Sequence, residues 1–355
     1  MSSFPETAAA LTPEALTVYL REAGLLAGGE VVAAQSKLIG TGKMGDNARV
    51  TLQYSEPQAR APETLIAKFP AADETARAMA GAGGAYYAEV MFYRELAAGT
   101  TMNTPCIYAS ELSDDKTSFL LLMEDMSPAQ PGNNLESASR QQTELALGEA
   151  ARLAAAYYGD ESIGARDYVQ SSGRDDGGAF GQELLIQNWP GFIDRYGHGI
   201  SAECQAFGEH YVQNHSRFVT RYQGLKTLAH GDLRSENILF GENTATVVDW
   251  QTMSESSVVT DAAYFLGGSV APEYRREWER ELIARYCEQL EQLGVVLSFT
   301  DGWELYREYA MHGLLITILG AAYSSPDERS DKMFLSMIQR HLQHCVDVNS
   351  AEFLE

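Results

Sequence analysis

The chain reads as an α+β protein of two lobes, a small β-rich N-terminal lobe (residues 1–126) and a larger helical C-terminal lobe (127–355). Three observations predict this. Between residues 31 and 123 the apolar residues come in short strand-length runs, whereas beyond residue 137 they recur at helical spacing over long segments. The period changes across Glu124-Asp125-Met126-Ser127-Pro128, a polar stretch closed by a proline. Inside the helical half, two apolar runs at 238–240 and 246–248 flank Gly241-Glu242-Asn243 and read as a hairpin.

Taken in order, Thr12-Pro13-Glu14 looks like the capped start of an amphipathic helix, with proline at its first position. Residues 31–39 form a strand pattern. Gly40-Thr41-Gly42-Lys43-Met44-Gly45 follows, a G-x-G-x-x-G string that also opens dinucleotide-binding folds. Here Val50, Leu52 and Tyr54 then alternate with Arg49, Thr51 and Gln53. That is strand periodicity, where a dinucleotide fingerprint needs a helix. The next strand, 64–69, carries Lys68 in an apolar run, and a buried ammonium needs a charged partner or a route to water. A helix over 85–96 offers one: Glu89 shares a face with Phe92, Tyr93 and Leu96, while Glu95 faces away. Strands at 105–111 and 117–123 complete the lobe.

Beyond 124–128, helices are expected over 137–158, 202–222, 272–293, 302–322 and 328–348. The stretch 170–181 is rich in glycine and aspartate and reads as a loop. With Trp189-Pro190-Gly191-Phe192, Trp303, Tyr306 and Tyr309 it is a candidate substrate wall. Thr260 would cap a helix whose first turn holds Asp261.

The chemistry-bearing stretch runs from His230-Gly231-Asp232-Leu233-Arg234 to Asn237, then through the hairpin to Asp249-Trp250-Gln251. A hairpin would bring Asp232, Asn237 and Asp249 to one rim. Two carboxylates and an amide oxygen suit hard cations and phosphate chemistry. Asp and Asn also dominate ordinary turns, so no single one of them carries the reading. The joint pattern does: His-x-Asp, four residues, Asn, then an apolar strand ending in Asp.

On HGDLRSENILF, VVDWQ and TDAAYFLGGS, the chain resembles the aminoglycoside phosphotransferase and choline kinase superfamily, and most closely its ecdysteroid kinase-like (CHK kinase-like) branch. The resemblance implies a protein-kinase-like two-lobe fold and an ATP-dependent, Mg²⁺-assisted kinase of a small-molecule hydroxyl. It implies that Asp232 orients the acceptor hydroxyl or takes its proton, and that Asn237 and Asp249 hold the metal. His230 would buttress the loop, with a base role as the alternative. Arg234 would either steady the transferring phosphate or pair with nearby acids. Gly40, Gly42 and Gly45 would cover the phosphates, Lys68 paired with Glu89 would hold them, and the backbone at Glu124 and Met126 would receive the adenine. Asp261 would bond the catalytic-loop backbone from beneath. Two departures stand out: Gln251 replaces the glycine of an Asp-Phe-Gly switch, and Arg234 stands where related branches carry an aromatic residue.

The net charge of −23 disfavours nucleic acid as a partner. The apolar run 313–323 is too short to span a bilayer. Cys106, Cys204, Cys287 and Cys345 are too dispersed for a zinc site or disulfide framework. A cytoplasmic protein is expected, with its oligomeric state open. The competing class is a catalytically inactive nucleotide-binding module on the same fold.

Overall fold

The computed structural model describes residues 4–40, 44–171, 176–324 and 327–355. Two units emerge: one of residues 1–99, 104–128 and 249–251, the other of 100–103, 129–248 and 252–355.

The first unit is built on a five-stranded antiparallel sheet in the order β1-β2-β3-β5-β4. Its strands are β1 (Val31–Ile39), β2 (Gly45–Tyr54), β3 (Thr64–Pro70), β4 (Ile107–Leu112) and β5 (Phe119–Glu124). β5 is apolar at almost every position because both of its faces are covered. Leu120 and Leu122 join the cluster that holds Leu16 and Leu20 of α1 (Pro13–Glu22). Phe119, Leu121 and Met123 pack instead with Ala85, Tyr86 and Val90 of α3 (Ala85–Met91). α1 is capped as its sequence suggests, with the Thr12 hydroxyl accepting the Ala15 N–H at 3.3 Å. A short α2 (Glu74–Ala82), capped by Asp73, precedes α3 and has no counterpart in the sequence reading.

The helix expected over 85–96 changes character at Phe92 and continues as a π-type turn, Phe92–Leu96. The Phe92 ring stacks on Trp250 there, with centroids 3.5 Å apart and planes at 6°.

The second unit is helical around two short β-ribbons. Its strands are β6 (Gln130–Pro131), β7 (Thr227–Ala229), β8 (Ile238–Phe240), β9 (Ala245–Val247) and β10 (Ser254–Ser256), paired as β6-β8-β9 and β10-β7. The hairpin between β8 and β9 closes with the Gly241 N–H on the Thr244 carbonyl at 2.9 Å. The helices are α4 (Arg140–Ala156), α5 (Glu161–Gly164), α6 (Ala179–Tyr196), α7 (Ala202–Arg221), α8 (Thr260–Ser269), α9 (Pro272–Gln292), α10 (Phe299–Tyr309), α11 (His312–Tyr323) and α12 (Glu328–Asp347). All ten residues of α8 are buried, so it is the central strut of the unit. None of the described helices is long and apolar enough to cross a membrane.

Three expectations need correction. The helix expected over 302–322 is two helices, α10 and α11, separated at Ala310-Met311. Neither break residue is a glycine or proline, so apolar periodicity runs on through the corner. The loop expected over 170–181 ends earlier, because α6 already includes 179–181; residues 172–175 lie outside the described residues. Gly177 and Gly178 adopt positive φ, and the Asp176 carboxylate accepts the N–H groups of Gly178 (2.9 Å) and Phe180 (2.7 Å), which starts the helix. Finally, Trp189, Tyr306 and Tyr309 are buried packing residues rather than a substrate wall, whereas Gly191 and the largely buried Phe192 line a small cavity with Arg195. Trp189 lies so close to α7 that a Cβ on Gly208 would meet its ring at 2.4 Å, and the Tyr306 hydroxyl donates to Glu279.

The helical unit also buries imidazoles. His341 and His344 are wholly buried, and among the described residues neither ring accepts or donates a hydrogen bond. Burial pushes His341 down to about 3 and His215 to about 4, from an ordinary value of 6.5. Because the folded values are the lower ones, the unfolded chain takes up protons first as pH falls. Stability conferred by the neutral rings is therefore complete above pH 6.5 and is lost below it. The melting temperature should fall by at least about 3 °C between pH 7 and 5.5, above the range where most carboxylates titrate. His341→Gln should show a shallower slope over the same window. Equal slopes would mean that His341 is not held neutral by folding.

Candidate active site

The segment from His230 to Arg234 is irregular backbone and Ser235–Asn237 is a single 3-10 turn, so their polar groups need partners outside any ladder. α8 supplies three of them. Asp261 Oδ2 accepts the His230 N–H at 2.8 Å and Oδ1 accepts the Gly231 N–H at 3.0 Å. Ser269 Oγ, two turns on, accepts the Ser235 N–H at 3.0 Å. Thr260 does not cap this helix: it is the first helical residue, and its hydroxyl donates to the Ser257 carbonyl at 2.8 Å. The Asp261 carboxylate is thus spent on the loop.

Gly231 can occupy its position because it has no side chain. Its φ is +83°, and a Cβ there would sit 2.2 Å from the Thr252 carbonyl oxygen. Its own carbonyl faces His312 Nε2 at 2.9 Å. His230 is fully buried; Nδ1 accepts the Asp232 N–H at 3.2 Å and Nε2 lies 3.0 Å from the Val248 carbonyl. Those partners place the ring proton on Nε2 and make His230 a brace between the loop and the end of the hairpin. Val248 in turn donates its N–H to the Asn237 carbonyl at 3.0 Å, so the residue before Asp249 is tied to Asn237.

These bonds present the Asp232 carboxylate. Its Oδ1 accepts from the Tyr264 hydroxyl at 2.6 Å. Its Oδ2 accepts from Asn237 Nδ2 at 3.1 Å and stands 3.7 Å from Arg234 Nε. The Asn237 amide nitrogen also donates to the Asp232 carbonyl at 2.9 Å. With the nitrogen committed twice to Asp232, the Asn237 Oδ1 remains an acceptor.

In the sheet unit, Lys68 and Glu89 are both buried and meet at 2.7 Å. Lys68 Nζ also lies 2.9 Å from Asp249 Oδ1. Burial alone would lower the Lys68 ammonium, yet the Asp249 and Glu89 carboxylates hold it above its ordinary value. Burial pushes Glu89 up, against the pull of Lys68. Gln251 Nε2 donates to Glu89 Oε2 at 3.0 Å, so the residue in the place of a switch glycine ties down the ion pair. Asp249 itself sits at φ +71°, a sparsely populated conformation for a residue with a side chain.

Gly40, at φ +74°, follows the last residue of β1, and Gly45 opens β2 so close to β3 that a Cβ would stand 3.0 Å from the Phe69 carbonyl oxygen. Gly42 lies outside the described residues. At the end of β5 the Glu124 N–H is committed to the Cys106 carbonyl at 2.9 Å, whereas the backbone of Met126 has no hydrogen-bond partner among the described residues. Asp125 is fixed by Arg49, with Nε 2.7 Å from Oδ2, and the same guanidinium donates to Ser127 Oγ at 2.6 Å.

Sequence reasoning missed Tyr264, Ser269 and His312. Tyr264 was within its reach: it lies three residues after Asp261, hence on the same helix face. His312 had no such signal, because α11 meets the loop only through tertiary folding.

A five-stranded sheet unit with a buried lysine–glutamate pair, and a helical unit carrying His-x-Asp and Asn on a loop braced by a buried helix, define a protein-kinase-like fold. The profile of the ecdysteroid kinase-like family matches residues 42–298, and the chain belongs to that family. Among solved structures it is similar to choline kinase from Cryptosporidium parvum (12% identity, 90% of this chain and 91% of that one, TM-score 0.53). It is similar also to an aminoglycoside phosphotransferase in complex with gentamicin (14% identity, 96% and 97%, 0.51). A third is the GDP complex of an aminoglycoside 2'-phosphotransferase variant (11% identity, 88% and 89%, 0.51). No curated protein matches the sequence significantly.

Gly231→Ala should cost about 3 kcal/mol or more, since strain at positive φ adds to a clash with backbone that cannot move aside. Urea unfolding would measure it. A variant as stable as the parent would show that the loop does not need this conformation.

Proposed function

We propose that the chain is an ATP-dependent phosphotransferase that moves the γ-phosphoryl group to a hydroxyl of a small molecule. The observation that carries the reading is the Asp232 carboxylate, oriented through both oxygens on a loop tied to α8. Membership of a kinase-like family supports it, as do structural neighbours named for choline and aminoglycoside phosphorylation and one named as a GDP complex.

In this reading the acceptor hydroxyl hydrogen-bonds Asp232. Its oxygen attacks the γ-phosphorus and its proton passes to the Asp232 carboxylate. The bond from the γ-phosphorus to the bridging oxygen breaks, and ADP leaves with the electron pair. Lys68, fixed by Glu89, binds the α- and β-phosphate oxygens, and Arg234 faces the charge that develops on the transferring group. Gly40, Gly42 and Gly45 let backbone approach the phosphates, and Met126 receives the adenine edge. Asn237 Oδ1 and the Asp249 carboxylate are hard oxygen donors that fit Mg²⁺. When bound, Mg²⁺ neutralises charge on the β- and γ-phosphate oxygens.

Three measurements test this together. Mg-ATP should raise the melting temperature and NADH should not. ADP release in the presence of a panel of small alcohols should identify an acceptor. Asp232→Asn should keep Mg-ATP binding while turnover falls about 10²-fold or more, and Asp249→Ala should lose metal-dependent nucleotide stabilisation. Mg-ATP stabilisation with no turnover against any acceptor, water included, would favour the inactive module. No stabilisation by Mg-ATP would overturn both readings.

A further inference from the structure

We propose that Tyr264 is a positioning residue that sets the orientation of the Asp232 carboxylate for phosphoryl transfer. The inference rests on the reading of Asp232 as the group that receives the acceptor hydroxyl, and adds to it the side chain that fixes its geometry.

Tyr264 is 1% exposed and stands on α8 one turn after Asp261, so one helix face holds both the loop backbone and the loop carboxylate. Its ring is clamped. It lies over His341 with centroids 5.1 Å apart and planes at 24°, and meets His312 edge-on at 5.6 Å and 79°. His341 comes this close because Gly268 and Gly313 leave it room: a Cβ on either would lie within 2.6 Å of its ring atoms. His312 in turn bonds the Gly231 carbonyl, so the clamp and the loop share a residue.

The hydroxyl at the end of this clamped ring donates to Asp232 Oδ1 at 2.6 Å, a length typical of a charge-assisted O–H···O⁻ bond. Burial raises the Tyr264 phenol well above its ordinary value, so it stays a donor at any working pH. Asn237 holds the other oxygen at 3.1 Å. One donor alone would let the carboxylate swing about its Cβ–Cγ bond. Two donors on different oxygens define its plane and leave each oxygen a further lone pair for the acceptor hydroxyl. Tyr264 also opposes a competing geometry, because Arg234 Nε stands 3.7 Å from Oδ2 and would draw a freed carboxylate into a closer ion pair. Precise placement of a proton acceptor is where a kinase, with little covalent chemistry of its own, gains rate.

The test is Tyr264→Phe, which keeps the ring and its stacking and deletes one oxygen. The readout is ADP release from Mg-ATP, with whichever panel alcohol supports turnover and otherwise with water as acceptor. kcat should fall about 10- to 100-fold, with the KM for Mg-ATP and the Mg-ATP thermal shift changed less than about twofold. A purely structural role would instead lower the melting temperature and move kcat and KM together. Should the Phe variant fold too poorly to assay, Tyr264→3-fluorotyrosine keeps ring and hydroxyl while altering donor strength. Changed kcat at an unchanged melting temperature then supports the proposal, and no change in either overturns it. Asp232→Asn separates the two levels. If that variant is active, the assignment of Asp232 fails; if it is inactive while Tyr264→Phe turns over at the parent rate, only the role of Tyr264 fails.

Discussion

Two backbone N–H groups on one buried carboxylate hold the candidate active site in shape. Asp261, 6% exposed, accepts from His230 and Gly231 and so converts an irregular loop into a fixed object. A lone buried charge would be costly, but charge-assisted bonds of this kind lower that cost and are each worth about 1.5–3 kcal/mol to keep. The arrangement works because α8 is wholly buried and cannot drift. Other details follow from it. Gly231 must adopt positive φ to aim its N–H at Asp261, and its carbonyl then faces His312. Asp232, next in sequence, projects to where Tyr264 and Asn237 can reach it.

The sheet unit is organised on the same physical principle, with a buried ionic cluster in place of a buried carboxylate. Lys68, Glu89, Asp249 and Gln251 form a connected set in which each charge has a partner. The glutamine matters. A glycine at 251 would leave Glu89 held by Lys68 alone, whereas here an amide completes its partners and the neighbouring Trp250 is stacked on Phe92. Asp249 is thereby carried at positive φ by its neighbours on both sides, a conformation it would not choose unaided.

Much of this is legible in the sequence where it depends on spacing along the chain. The order of strands and helices follows from the change of hydrophobic period, and the hairpin after Asn237 from two apolar runs around a glycine turn. The meeting of Lys68 with Glu89 follows from one lysine in an apolar strand and one acid on the buried face of the next helix. Features that depend on packing are not legible. The corner at Ala310-Met311 uses ordinary residues, and the start of α6 hides in a glycine-rich stretch where Asp176 supplies the cap. Aromatic residues at helical spacing look the same whether they line a cleft or fill a core, and Trp189 and Tyr306 fill the core. The clamp of His341 and His312 around Tyr264 unites residues some fifty to eighty positions apart, beyond any local pattern.

Amide hydrogen exchange of the peptide spanning residues 228–237, compared between the parent protein and Asp261→Asn, tests most directly whether the buried carboxylate holds the loop. In the parent the His230 and Gly231 amides should exchange only with global unfolding. In the variant, where an amide N–H₂ replaces one acceptor oxygen, they should exchange at least about tenfold faster while α9 and α12 keep their protection. Equal protection of the loop in both proteins would contradict the account.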